Sequence, residues 1–162
     1  MSDDASVLLP DRVSPRIWGM PRMLKVHRRT ADLLPWVGPL TDKWDENGEQ
    51  GVSLESIGDR IAIAEPGPVA LGAIILLGPR ASGGSRVAPL AKSEILTAIA
   101  HDNVAWRPAG MTPKAVRRFE AFARTVAQVP AFRLSAGTDL ASLPDVLRTG
   151  LDLPVKATDD RR

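Results

Sequence analysis

Two carboxylates stand side by side near the front of the chain, Asp3-Asp4, just ahead of the short apolar run Ala5–Leu9. Adjacent carboxylates at a strand end are good oxygen ligands for Mg²⁺, and one of them can take the proton of a substrate hydroxyl. The simpler reading is that two acids in such a place are merely solvated. A second candidate is the loop Gly78-Pro79-Arg80-Ala81-Ser82-Gly83-Gly84-Ser85. It follows Val69–Leu77, the most continuously apolar run in the chain. The loop matches the phosphate-binding template G-x-x-x-x-G-K-[ST] at its glycines and its last Ser, with Gly84 where the Lys should stand. That template needs a helix to begin at once, so that its amides face the phosphates. Val87-Ala88-Pro89-Leu90 is instead an extended sequence whose proline would break such a helix early. A plain strand-connecting loop is expected, with Arg80 and Arg86 placed to meet an anion.

The third feature is an uneven distribution of charge. Between Asp11 and Trp36, Arg12, Arg16, Arg22, Lys25, Arg28 and Arg29 outweigh Asp11 and Asp32. From Thr41 to Arg60 the balance reverses, with Asp42, Asp45, Glu46, Glu49, Glu55 and Asp59 against Lys43 and Arg60. Two readings follow. The segments are solvated surfaces that attract each other weakly in the fold, or the basic one, with Arg22 and Lys25, holds an anion. Other chemistry is poorly supplied. There is no Cys, so disulfide and thiolate chemistry are excluded. His27 and His101 are too few and too far apart for an imidazole metal centre. No Gly-x-Ser-x-Gly elbow occurs.

The elements that must position these groups can be read from pattern. The 162 residues, 44% hydrophobic and 25% charged with 14 Pro and 13 Gly, predict a soluble, loop-rich α/β chain. A single domain is expected over 1–153, with 154–162 as a polar tail that frays. The net charge of +2, from 21 basic and 19 acidic residues, gives no reason to expect nucleic acid or an anionic membrane as partner. No signal peptide or membrane span is read from the sequence, so the cytoplasm is the expected location. Val69–Leu77 predicts a central strand covered on both faces. Ala5–Leu9, Arg60–Ala64, Arg86–Leu90 and Phe132–Ser135 are further expected strands, and Arg12–Trp18 and Met23–His27 two extended segments joined by a turn. Thr30 predicts a cap for a short helix over Ala31–Leu34, and Trp36–Gly51 a surface loop anchored by Trp36 and Trp44. Ser93–His101 is an amphipathic helix with Ile95, Leu96 and Ile99 on one face. Thr112-Pro113 opens the longest expected helix, whose stripe is Val116, Phe119, Phe122, Ala123, Val126 and Ala127. A last helix spans Ser142–Thr149, with Gly150 in the stop position. The expected fold is α/β, a mixed sheet with packed helices.

Ser2-Asp3-Asp4-Ala5-Ser6-Val7-Leu8-Leu9 resembles the segment of the HPr kinase/phosphorylase family in which an Asp pair ends a strand after the phosphate loop. The downstream order is also similar: Pro21–Lys25, Val69–Leu77, Val87–Leu90 leading into a helix, and Val129–Leu134 followed by a closing helix. The resemblance implies the C-terminal portion of a phosphoenolpyruvate carboxykinase-like nucleotide-binding domain. It also implies a kinase ancestry, with ATP-dependent phosphorylation of a protein or peptide Ser as the ancestral reaction. Asp3 and Asp4 would then be the catalytic and metal-binding pair for Mg²⁺ and ATP, with Arg22, Lys25, Arg80 and Arg86 toward the nucleotide. The family's glycine-rich loop precedes its Asp pair, and here only Met1 and Ser2 do. The expected protein is therefore a partial kinase domain, inactive alone, either a truncated reading frame or one half of a split enzyme whose phosphate loop lies on a separate chain. A missing N-terminal strand would leave a sheet edge open and predicts self-association. The alternative is a non-catalytic binding module that uses the basic segment 12–29 to hold a partner or an anionic ligand.

Overall fold

The computed structural model describes residues 6–10, 13–19, 23–58, 60, 67–103 and 110–153, with the backbone only for 101–103. Asp3, Asp4, Arg22, residues 61–64 of one expected strand and the tail 154–162 lie outside the described residues. Contacts gather the chain into two compact units. The first holds the described residues of Met1–Leu9 and Arg16–Ala70, the second those of Pro10–Pro15 and Leu71–Arg162.

The first unit carries two small antiparallel sheets. Strands β1 (Ser6–Leu9) and β2 (Arg16–Gly19) pair with Val7 opposite Trp18 and Leu9 opposite Arg16. Strand β3 (Leu24–His27) belongs to another sheet and runs straight into helix α1 (Arg28–Leu33). That helix begins at Arg28 and not after Thr30. The Arg28 amide, which lacks an intrahelical partner, donates to the Gly48 carbonyl at 3.1 Å, so no Thr cap is needed. The segment expected as a loop, Trp36–Gly51, contains a 3₁₀ turn at Gly38–Leu40 and the start of β4 (Glu49–Val52). Strand β4 pairs with β3, His27 facing Glu49 and Val26 facing Gln50. Helix α2 (Leu54–Ile57) follows, capped by Ser53, whose hydroxyl accepts from the Ser56 amide at 3.1 Å. Val26, Val37, Val52 and Ile57 form the buried core, and Trp36 and Trp44 pack against it as the sequence predicts. Strand β5 (Val69–Ala70) closes the first sheet on the side of β2.

The second unit is a mixed three-stranded sheet between helices. Its strands are β6 (Ile74–Leu77), β7 (Arg86–Pro89) and β8 (Ala131–Ser135), in the order β6-β8-β7, with β8 parallel to β6 and antiparallel to β7. Side chains alternate across it. On one face Ile74, Leu76 and Ala131 meet Ile95 and Leu96 of α3 (Lys92–Asn103) and Val126 of α4 (Pro113–Gln128). Ala100, Ala115, Phe119 and Phe122 extend this contact between the two helices. The expected α4 stripe is buried or half-buried from Val116 to Val126, but Ala127 is exposed, and Ala115 and Thr125, outside the expected stripe, are buried. Thr112 caps it, accepting from the Ala115 amide at 3.2 Å. Helix α5 (Leu143–Gly150) lies against Val87 of β7, on the opposite face.

The central strand expected over Val69–Leu77 is not one strand. Val69–Ala70 pairs in the first unit and Ile74–Leu77 in the second, and Leu71–Ala73 belongs to neither ladder. Nor is β6 covered on both faces, since Leu77 is 75% exposed, and among the described residues it is an edge. The true centre of the sheet is β8. An unbroken apolar run carries no periodicity to mark where its pairing partner changes.

Gly150 is needed for room and not as a helix stop. A Cβ there would sit 2.6 Å from the Val87 Cβ. Gly150→Ala should therefore force α5 off the sheet and cost about 1–3 kcal/mol, seen as a lower urea midpoint. Thr112→Ala should cost about 1 kcal/mol by the same measurement, since it only removes a cap.

Candidate functional site

Strand β8 is inserted between β6 and β7, so the eight residues Gly78–Ser85 have to carry the chain across the exit of β8. With strands spaced about 4.8 Å apart, the crossing spans roughly 10 Å. Three hydrogen bonds hold the resulting arch to the strand it crosses. The Gly78 amide donates to the Leu134 carbonyl at 2.8 Å, and the Ala81 amide to the Ala136 carbonyl at 2.9 Å. On the far side the Gly137 amide donates to Ser85 Oγ at 2.9 Å. Gly137 has to be glycine, because a Cβ there would lie 2.2 Å from the Gly83 carbonyl oxygen. The loop leads directly into β7 and not into a helix, as Val87–Leu90 predicts.

Gly83 and Gly84 are different. Both are exposed, neither has a positive φ, and a Cβ on either would meet nothing within 4 Å. Neither packing nor backbone conformation asks for glycine at these two positions. What the pair does provide is a stretch of bare backbone, which a bound group can approach closely. Arg80 and Arg86 flank it, one beside the tethered Ala81 and the other opposite Ser135 at the start of β7. Both side chains are exposed, and among the described residues neither makes a hydrogen bond or ion pair. The neighbouring Arg133 is already engaged, its guanidinium bound to Glu94 of α3.

The sequence-predicted cations of the first unit are placed otherwise. Lys25 and His27 alternate along β3 and share one carboxylate, Glu49, at 3.4 and 3.2 Å. Arg28 lies over the Trp44 ring, 6.0 Å from its centroid. Arg16 donates to the Pro68 carbonyl at 2.6 Å. The basic and acidic segments thus meet within their own unit, as the reading of mutually attracting surfaces expects. Glu49 itself was hidden from sequence reasoning because Glu49-Gln50-Gly51 looks like loop. The usable signal was the i, i+2 spacing of Lys25 and His27, which marks one face of a strand. The Asp45 carboxylate tightens this corner by accepting from the Asn47 and Glu49 amides at 2.9 and 2.8 Å, and Gly48 turns the chain with φ of 74°.

No protein-family model, curated protein or solved structure matches this chain. Among the described residues no group of three or more His, Cys, Asp or Glu is arranged to hold a metal ion. No described helix is long and apolar enough to cross a membrane. The arch over β8, with its free arginines and exposed glycine pair, is the candidate site.

Gly137→Ala should drive the Gly83 carbonyl out of contact and lower stability by about 1–3 kcal/mol. The amide resonances of Gly83 to Ser85 should move with it, and an unchanged spectrum would show that the arch does not rest on Gly137.

Proposed function

We propose that this chain is a non-catalytic binding module that holds a phosphate-bearing or otherwise multiply anionic ligand on the arch Gly78–Arg86. The observation that carries this reading is the exposed Gly83-Gly84 pair, which the fold does not require, set between two unpaired arginines. Guanidinium groups grip phosphate oxygens through paired N–H donors, and bare glycine amides let such an anion come close. The arch also lies at the carboxyl ends of the parallel strands β6 and β8, where open α/β sheets tend to place their ligands. The basic segment 12–29 is a weaker place for the ligand, because Lys25, His27, Arg28 and Arg16 already have partners in their own unit.

The phosphoenolpyruvate carboxykinase-like ancestry implied by Ser2–Leu9 fits within this proposal as an origin, with serine phosphorylation as the ancestral reaction. An arch that enters a strand offers no helix N-terminus to a triphosphate. Positioning and charge neutralisation, on which phosphoryl transfer depends, are then thinly supplied. The expected outcome is no ATP turnover by this chain. Magnesium-dependent hydrolysis that disappears in Asp4→Asn would replace the binding module by an active kinase-like site.

Binding is tested with pyrophosphate as probe, followed by calorimetry and amide chemical shifts. Arg80→Ala and Arg86→Ala should each weaken it about tenfold, the equivalent of roughly 1.5 kcal/mol for a charge-assisted contact. Gly83→Ala and Gly84→Ala give the sharper comparison. If glycine serves only the fold, alanine should be neutral or stabilising by about 0.4–1 kcal/mol, with binding unchanged. On the present reading stability holds and binding falls.

A further inference from the structure

The two outer strands of the β6-β8-β7 sheet are built in opposite ways. In β7 the Leu90 amide donates to the Ala131 carbonyl at 2.9 Å, so by alternation the main-chain groups of Val87 and Pro89 face away from β8. Pro89 has no N–H to offer there, and Arg86 adds a charge. These are devices that keep an edge from pairing with another chain. Strand β6 has neither. The Ile74 and Gly78 amides donate to the Pro130 and Leu134 carbonyls at 3.0 and 2.8 Å, which turns the N–H and C=O groups of Ile75 and Leu77 outward. Among the described residues no strand pairs with that side.

From the structure we infer that β6 is a self-association edge, paired antiparallel with β6 of a second copy of this chain. The register follows from the outward groups. Ile75 faces Leu77 of the second copy and Leu77 faces its Ile75, each pair exchanging both main-chain hydrogen bonds, with Leu76 against Leu76 on the two-fold axis. Such a contact is isologous and closes on itself. It joins two three-stranded sheets into one of six strands. It also accounts for Leu77, which is 75% exposed in the single chain and would lie beside the Ile75 side chain of the second copy. No like charges oppose the contact, because Val69–Pro79 holds no charged residue. Arg80 lies in the arch, beyond the paired residues.

Sedimentation of the full chain over a range of concentrations tests this. A reversible monomer–dimer equilibrium is expected, with the Ile75 and Leu77 amides protected from hydrogen exchange only in the dimer. Ile75→Pro removes an outward donor while leaving the ladder to β8 intact. Leu77→Lys puts a charge on the contact at an exposed side chain. Both should give monomer with the circular dichroism of the native chain, and Leu77→Lys decides the matter if the proline variant does not fold. A monomer at every concentration overturns the inference, and so does a dimer that survives Leu77→Lys.

Discussion

Strand β8 comes after β6 and β7 in the sequence but lies between them in the sheet. Much of the second unit follows from that insertion. The link from β6 to β7 cannot be a tight hairpin and has to be an arch wide enough to clear a third strand. The crossing point has to be free of side-chain bulk, and Gly137 supplies that room beneath the Gly83 carbonyl. Both ends of the arch stay near the exit of β8, so Arg80 and Arg86 flank the same short stretch of backbone. The insertion also leaves β6 and β7, among the described residues, each with one ladder and one open side.

In the first unit the organising interaction is the pairing of β3 with β4, which brings one carboxylate opposite both Lys25 and His27. Glu49 serves both Lys25 and His27 on the exposed face, while Val26 and Val52 on the other side reach the buried core. An exposed ion pair such as Lys25–Glu49 adds at most about 1 kcal/mol, so the apolar side holds the strands together and the polar contacts refine the register. Gln50 extends the order into the preceding loop, accepting from the Asp42 and Lys43 amides at 3.0 and 2.9 Å. The tryptophans fix that loop from beneath.

The parts of the fold that were legible in the sequence are those governed by local rules. Thr112-Pro113 marked the start of α4 because capping and a preset proline φ act within one turn. The spacing of Ile95, Leu96 and Ile99 gave the buried face of α3, and Val87-Ala88-Pro89 excluded a helix after the glycine-rich loop. Pairing was not legible. Nothing in Val69–Leu77 shows that its two ends serve different sheets, and nothing in Phe132–Ser135 shows that it is the middle strand. Glu49–Gly51 read as loop because strand preference depends on the neighbours a segment finds. Of the candidate site, Arg80, Arg86 and the glycines were visible from composition. That Gly137 is steric while Gly83 and Gly84 are not could only be learned from the backbone around them.

The insertion of β8 has a bearing on how the protein is made. During synthesis β6 and β7 emerge first, and the strand that bonds to both follows only after α3 and α4, with Ile74 and Ala131 separated by 57 positions (131 − 74). Long-range pairing of this kind is slow, since the chain loses the entropy of closing the intervening loop before any contact rewards it. With eight residues between them, β6 and β7 lack the two-residue turn that most favours a tight hairpin, the pairing that would shut their missing middle out.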